Sequence, residues 1–290
     1  MLLVLSIQLF TRQTVALSVP ANTKPIGWSP EAALKPEYAN KCHLLSASSI
    51  TELLPPTNQN QGDDGTRRQP LRQQLFTSPL VSVLYERVLP PLWEVTGLRL
   101  GGPEAEYRAA AQYLETANAN DNASHKDGRI GLDLSCGTGF VGIRMAASGY
   151  FDHVFALDYS EQMLRECVNT VRREAPKQQQ QQQENMLLPL SVIRGDAGNL
   201  PFQDHSLDAI HWGAAMHCVP RAEQALQEVY RVLKPGGRLY ATTFLRPFPD
   251  VVFRFFTVKE LRSMTVGAGF PPSSVNVTKK GVYGIIQAQK

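Results

Sequence analysis

Cysteine is scarce. The 290 residues hold four, at positions 42, 136, 167 and 218. No two are spaced as C-x-x-C and no cysteine/histidine cluster has zinc-ligand spacing, so nothing in their placing points to a disulfide framework or a structural metal. These thiols read as buried or incidental. Long apolar runs are missing too. The longest, residues 1–10, falls well short of the roughly 20 residues a membrane span needs. Charge of one sign is nowhere concentrated. Residues 1–129 carry 12 basic and 12 acidic side chains and residues 130–290 carry 17 and 14, a formal net charge of +3. A nucleic-acid binder would show a basic stripe. With 43% hydrophobic and 19% charged residues, the chain has the composition of a folded globular protein.

Acid is also absent from the start. The first carboxylate is Glu31, and residues 1–30 hold only Arg12 and Lys24 as charged side chains. An apolar opening without a basic n-region is a poor bacterial signal peptide; an acid-poor, Ser/Thr-bearing leader fits organelle targeting better. Residues 1–45 are therefore expected to be a targeting leader. Residues 46–76 are expected to be a linker, because Pro55 to Arg68 is polar, turn-rich and unpatterned. The glutamine tract Gln178–Gln183, with its flanks at 178–185, reads as a surface insertion.

From about residue 77 to 290 the texture is that of one domain. Ser78–Leu89 opens on a cap-and-proline signal and continues with helical spacing, and Glu104–Thr116 reads as a second helix within an N-terminal helical portion, 77–128. Strands are then predicted at Ile130–Ser135, His153–Asp158, Leu190–Gly195, Leu207–Gly213 and Arg238–Phe244. Helices are predicted at Val141–Ser148, Ser160–Glu174, Ala222–Leu233 and Val258–Ala268. Two last strands, near 275–280 and 282–289, are close enough to form a hairpin. Alternating strands and helices predict an α/β fold of seven strands, mostly parallel, with one antiparallel strand and helices on both faces. In such a sheet ligands bind beyond the carboxyl ends of the strands.

Those ends carry the chemistry. After the first strand comes Asp133-Leu-Ser-Cys-Gly-Thr-Gly139, where Gly137 and Gly139 let the backbone turn tightly and approach a ligand closely. Gly137-Thr-Gly-Phe-Val-Gly142 also fits the dinucleotide fingerprint, a weak signal alone. Asp133 disfavours a pyrophosphate, because a strand-end carboxylate repels phosphate and suits a ligand bearing ammonium and sulfonium groups. Asp158 ends the second strand, where a carboxylate can accept from both hydroxyls of a ribose. Asp196 follows the third strand, placed to accept from an adenine amino group, with the Ala197 N–H beside it.

At this point the sequence resembles a known family. Asp133–Gly139, Ala156-Leu-Asp-Tyr-Ser-Glu-Gln-Met-Leu164, Gly195-Asp-Ala-Gly-Asn-Leu-Pro-Phe202 and Arg231-Val-Leu-Lys-Pro-Gly-Gly237 are similar to the class I S-adenosylmethionine-dependent methyltransferases of the UbiE-like group. The match runs from about 75 to 290. Ser78–Arg87 and Gly213–Cys218 support a narrower likeness to its plant and algal plastid set. The resemblance implies a Rossmann-like sheet, a plastid location (with the mitochondrion as alternative) and S-adenosyl-L-methionine as cofactor. It implies Asp133, Gly137 and Gly139 at the methionine end, Asp158 and Tyr159 at the ribose, Asp196 and Ala197 at the adenine, and Ser135, Cys136 and Gly213 among the other cofactor-binding residues. Departures are Ser135 in place of the loop's first glycine, no cysteine-rich ribbon around Cys42, and a short stretch between Phe244 and Phe256. They bear on the acceptor and leave the cofactor untouched.

The implied partner is a small-molecule methyl acceptor, quinol, phenolic or prenyl lipid, with no nucleic acid, no metal and no transmembrane segment; peripheral lipid association stays open. Displacement at carbon needs alignment more than a base. If a base is needed, His217 is the candidate, with the strand residue His211 read as structural; Tyr85 is a candidate to close over the cofactor. Two alternatives remain: an NAD(P)-dependent oxidoreductase, and a non-catalytic protein that binds S-adenosylmethionine.

Overall fold

The computed structural model describes residues 29–38, 41, 49–53, 102–116, 128–182, 188–246 and 253–290. The expected leader start, the helix at 78–89 with Tyr85, and Cys42 lie outside the described residues.

Eight strands form one sheet: β1 (Ile50–Glu52), β2 (Ile130–Leu134), β3 (His153–Asp158), β4 (Leu190–Arg194), β5 (Leu207–Trp212), β6 (Leu233–Phe244), β7 (Val275–Lys280) and β8 (Tyr283–Gln289). Their order is β1-β4-β3-β2-β5-β6-β8-β7. All neighbours pair in parallel except β8, which runs antiparallel to both β6 and β7. Its hairpin with β7 turns through Gly281, whose φ of 60° suits a residue without Cβ. Building starts at β2, proceeds outward through β3 and β4, and then resumes on β2's other side at β5. That reversal opens a crevice at the carboxyl ends of β2 and β5.

Among the described residues five helices accompany the sheet: α1 (Gly102–Leu114), α2 (Phe140–Ala147), α3 (Glu161–Gln182), α4 (Ala222–Val232) and α5 (Val258–Gly267). Apolar side chains fall into two cores. One joins α1, α2 and α3 to residues such as Val154, Ala156 and Val192. The other joins α4 and α5 to Leu132, Leu134, Leu157 and Trp212. Because strand side chains alternate, a strand covered on both faces must be apolar throughout; β2, IGLDL, is buried at all five positions. α5 begins with a reciprocal capping box between Thr257 and Glu260. α3 runs through Gln182, eight residues beyond Glu174, so the glutamine tract begins as a continuation of the helix. Glutamine's high helix propensity accounts for this.

The count of seven strands becomes eight through the segment before the expected domain. β1 pairs with β4, Ile50 opposite Val192 and Glu52 opposite Arg194, and the Leu53 N–H donates to the Arg194 carbonyl at 2.9 Å. Further upstream, a 3-10 turn at Pro30–Ala33 leads to Leu34, which bridges to Phe202, and Gln203 donates to the Ala32 and Leu34 carbonyls. Ala33, Leu34, Tyr38 and Leu53 all enter the α4/α5 core. Parts of 1–45 and 46–76 thus belong to the fold. A three-residue strand is too short to show alternation, which is why the pattern hid it.

Deleting the Leu53 or Leu34 side chain to Ala should therefore cost about 2–5 kcal/mol each in urea unfolding, as for other fully buried leucines. An unchanged midpoint would show that this segment lies outside the cooperative unit.

Candidate functional site

The crevice is built by four successive strand ends. After β2 the chain turns through Ser135 (φ 54°), Cys136 and Gly137 (φ 54°) before α2 starts behind Gly139 (φ 78°). The turn is pinned to the next strand: the Cys136 N–H donates to the Leu157 carbonyl at 3.0 Å and the Gly137 N–H to Asp158 Oδ2 at 3.0 Å. Asp158 Oδ1 accepts from the Ser160 N–H at 2.8 Å. Each carboxylate oxygen has two acceptor sites, so one N–H apiece leaves Asp158 able to accept more from a ligand.

Seven of the expected residues line one cleft: Ser135, Gly137, Asp158, Tyr159, Asp196, Ala197 and Gly213. Nothing lies within 4 Å of where a Gly137 Cβ would stand, so the bare loop leaves room for a ligand beside its backbone. Asp196 Oδ1 accepts from the Gly198 N–H at 2.8 Å, which fixes the turn after β4. Tyr159 is held from behind: Arg194 Nε donates to its carbonyl at 3.0 Å, and the same guanidinium pairs with Glu52 of β1. Leu157, Met163, Val219 and Pro220 complete apolar walls. A flat base between apolar walls, with a carboxylate at each rim and a side-chain-free loop at one end, is an arrangement these residues can accommodate. Ser160, Met163 and Cys218, carried by the segments that follow β3 and β5, line the cleft as well; membership of those two motifs is their signal in the sequence.

Four expected residues are elsewhere. Asp133 is 2% exposed and lies behind the loop. Its Oδ2 accepts from the Gly142 N–H at 2.8 Å and its Oδ1 lies 2.8 Å from His211 Nδ1. It caps the first turn of α2 and anchors a histidine, so no part of it reaches the cleft lining. Gly139 faces α3, where a Cβ would collide with the Cys167 thiol. Cys136 also turns to Cys167. That contact, with burial, pushes its thiol pKa well up, so it stays protonated. His217 is buried in a ring of phenylalanines, 4.9 Å from Phe244, 5.4 Å from Phe253 and 6.0 Å from Phe255 between centroids, with Nδ1 3.3 Å from Thr243 Oγ1. Among the described residues no imidazole lines the cleft.

The electrostatics follow burial. Asp158 has its pKa raised by burial and then by the nearby Asp133 charge, against the N–H groups of Ser160 and Gly137. Burial alone drives His217 down to about 4. For His211, burial opposes charge, but the hydrogen bonds and charges of Asp133 and Glu106 outweigh it and push the pKa up to about 9. Glu106 Oε1, on α1, lies 3.6 Å from His211 Nε2. Among the described residues no cluster of three or more His, Cys, Asp or Glu is placed to hold a metal ion, and no helix is long and apolar enough to cross a membrane.

These two histidines give stability a defined pH optimum. The folded state binds the His211 proton more tightly than the unfolded chain, so that contribution is complete below pH 6.5 and fades as pH rises towards 9. The folded state resists protonating His217, so its contribution is lost as pH falls from 6.5 towards 4. Proton NMR should show His211 still protonated at pH 8 and His217 neutral at pH 5, with the two histidines together favouring maximal thermal stability near pH 6.5. A neutral His211 at pH 8 would break the assigned charge network.

Comparison with known proteins agrees with this architecture. Residues 132–241 match the family described as "Methyltransferase domain". An uncharacterized chloroplastic methyltransferase of Arabidopsis thaliana is 37% identical over 218 residues, covering 74% of this chain and 57% of that protein. A second from the same plant is 40% identical over 188 residues, covering 63% and 47%. The demethylmenaquinone methyltransferase of Lactobacillus johnsonii is 36% identical over 115 residues, covering 39% and 43%. The chain thus spans about half the length of the curated relatives it matches. Among solved structures, the [4+2]-cyclase SpnF has a TM-score of 0.52 at 17% identity, covering 64% of this chain and 80% of its own; this shows the fold alone. The residues that line the cleft all fall within the segment 132–241 that matches the methyltransferase domain family.

Proposed function

We propose that this protein is an S-adenosylmethionine-dependent methyltransferase acting on a small apolar acceptor. The observation that carries this is Asp158. It closes β3, holds the glycine loop by the Gly137 N–H, and faces the same cleft as Asp196. In this reading Asp158 accepts from the ribose hydroxyls with Tyr159 beside it. The adenine lies between Leu157, Met163, Val219 and Pro220, with Asp196 and Ala197 at its edge, and Ser135 and Gly137 leave space for the methionine end. When bound, this cofactor supplies a methyl group on a positively charged sulfur, ready for displacement by a nucleophile.

The protein's part is then to bind, orient and exclude water. Alignment of this kind can contribute of order 7–11 kcal/mol. No side chain is assigned as a base: His217, neutral at physiological pH, sits in its phenylalanine ring. Asp133 acts indirectly, keeping α2 and the loop in place through Gly142. The apolar lining at Ala214, Ala215 and Cys218 favours a quinol, phenolic or prenyl-lipid acceptor, as do relatives named demethylmenaquinone methyltransferases. A plastid setting is supported by the relatives named chloroplastic.

Calorimetric titration of S-adenosylmethionine should show saturable binding to the wild type and at least about tenfold weaker binding to Asp158→Ala, the cost expected for a lost charged acceptor. Absence of heat with the wild type, or equal affinity for both, would overturn the assignment. Binding without transfer of labelled methyl to any prenyl-quinol or phenolic compound of a plastid extract would leave a binding protein in its place.

A further inference from the structure

The wall of the cleft beyond β5 is held in an unfavourable backbone conformation, and a buried polar chain explains how. Ala214 has a φ of 46°, left-handed for a residue with a Cβ. Such a residue persists only where its surroundings over-determine it. Its N–H donates to Thr242 Oγ1 at 2.8 Å. The Thr242 hydroxyl, on the neighbouring β6 and 1% exposed, donates in turn to Glu106 Oε1 at 2.7 Å. A hydroxyl has a single proton. Having accepted from Ala214, it needs an acceptor on its other side, and Glu106 supplies one. That same oxygen stands 3.6 Å from His211 Nε2, and His211 is locked to Asp133. Gly213 is fixed by the same pair: a Cβ there would lie 2.8 Å from Glu106 Oε1 and 2.7 Å from His211 Cε1. Both Gly213 and Ala214 line the cleft.

We infer that Glu106 and Thr242 are positioning residues of the cleft: helix α1 reaches through the Thr242 hydroxyl to the backbone of Ala214 and sets the wall against which the adenosyl ligand and its acceptor are held. The inference rests on the reading of this cleft as an S-adenosylmethionine site. It adds α1, an element outside the matched segment 132–241, to the machinery of that site. Neither side chain touches the ligand; each acts through Ala214.

The full-length protein should be compared as wild type, Thr242→Val, Thr242→Ser, Glu106→Ala and Glu106→Gln. Valine keeps the volume and removes the hydroxyl; serine restores it; glutamine keeps an acceptor oxygen. Thr242→Val and Glu106→Ala are expected to weaken S-adenosylmethionine binding about tenfold. They should also quicken hydrogen exchange at the Ala214 amide, while Thr242→Ser and Glu106→Gln stay within about threefold of wild type. Thr265→Val serves as control, since its equally buried hydroxyl donates to the Leu261 carbonyl at the far end of no such chain; it should lower the unfolding midpoint and leave affinity unchanged. If Thr242→Val does not fold, the Glu106→Ala and Glu106→Gln pair decides. Folded variants that bind like wild type, or a Thr242→Ser that fails to rescue, overturn the inference. A wild type that binds no S-adenosylmethionine overturns the cleft reading instead, and Ala214 exchange in the variants still tests the chain of bonds by itself.

Discussion

A carboxylate taken out of water must be met by donors, and in this molecule that requirement falls on Asp133 at the middle of the sheet. One oxygen takes the Gly142 N–H from the first turn of α2, and the other takes the His211 ring across the pair β2 and β5. These two bonds join the helix that follows the glycine loop to the strand on the other side of the crevice. Removing the carboxyl would leave the Gly142 N–H and the His211 Nδ1 without their acceptor and partner. The damage would spread to both rims of the cleft, although Asp133 itself is not part of the cleft lining.

The cleft itself follows from topology. Because the chain leaves β2 on one side and returns on the other, the loops after β2 and β5 part company and leave a gap between them. Asp158 and Asp196 follow the adjoining strands and furnish its polar edge, while Leu157, Met163, Val219 and Pro220 furnish its apolar faces. The division of labour is spatial. Groups that line the cleft sit beyond the strand ends, and the charged groups that brace them sit one layer deeper, between the sheet and α1 and α2.

Much of this was readable from residue order. The bounds of β3 coincide with the alternation-and-cap pattern, since a buried strand between His153 and Asp158 is followed at once by helix-starting residues. Strands after β1 fell within a residue or two of expectation, except that β6 starts five residues early: Leu233 pairs with Leu207 before Lys234 to Gly237 loop out. Asp158, Asp196 and the bare Gly137 could be placed at one cleft because acids close successive strands of one sheet beside a side-chain-free loop, a combination less ordinary than any one of them. Asp133 could not, because its place in the strand does not say which partner lies across the sheet. That depends on register, which sets it beside His211. Glu106 and Thr242 carried no signal at all. They are 136 residues apart, and each is an ordinary residue of an ordinary element.

β1 has one more consequence. A sheet margin exposes a row of unpaired amides and carbonyls that any extended peptide can adopt as a template. Here β4 would be that margin, and among the described residues β1 covers it with three, Ile50 to Glu52. The short upstream segment thus takes up the row of backbone groups that β4 would otherwise leave at the margin.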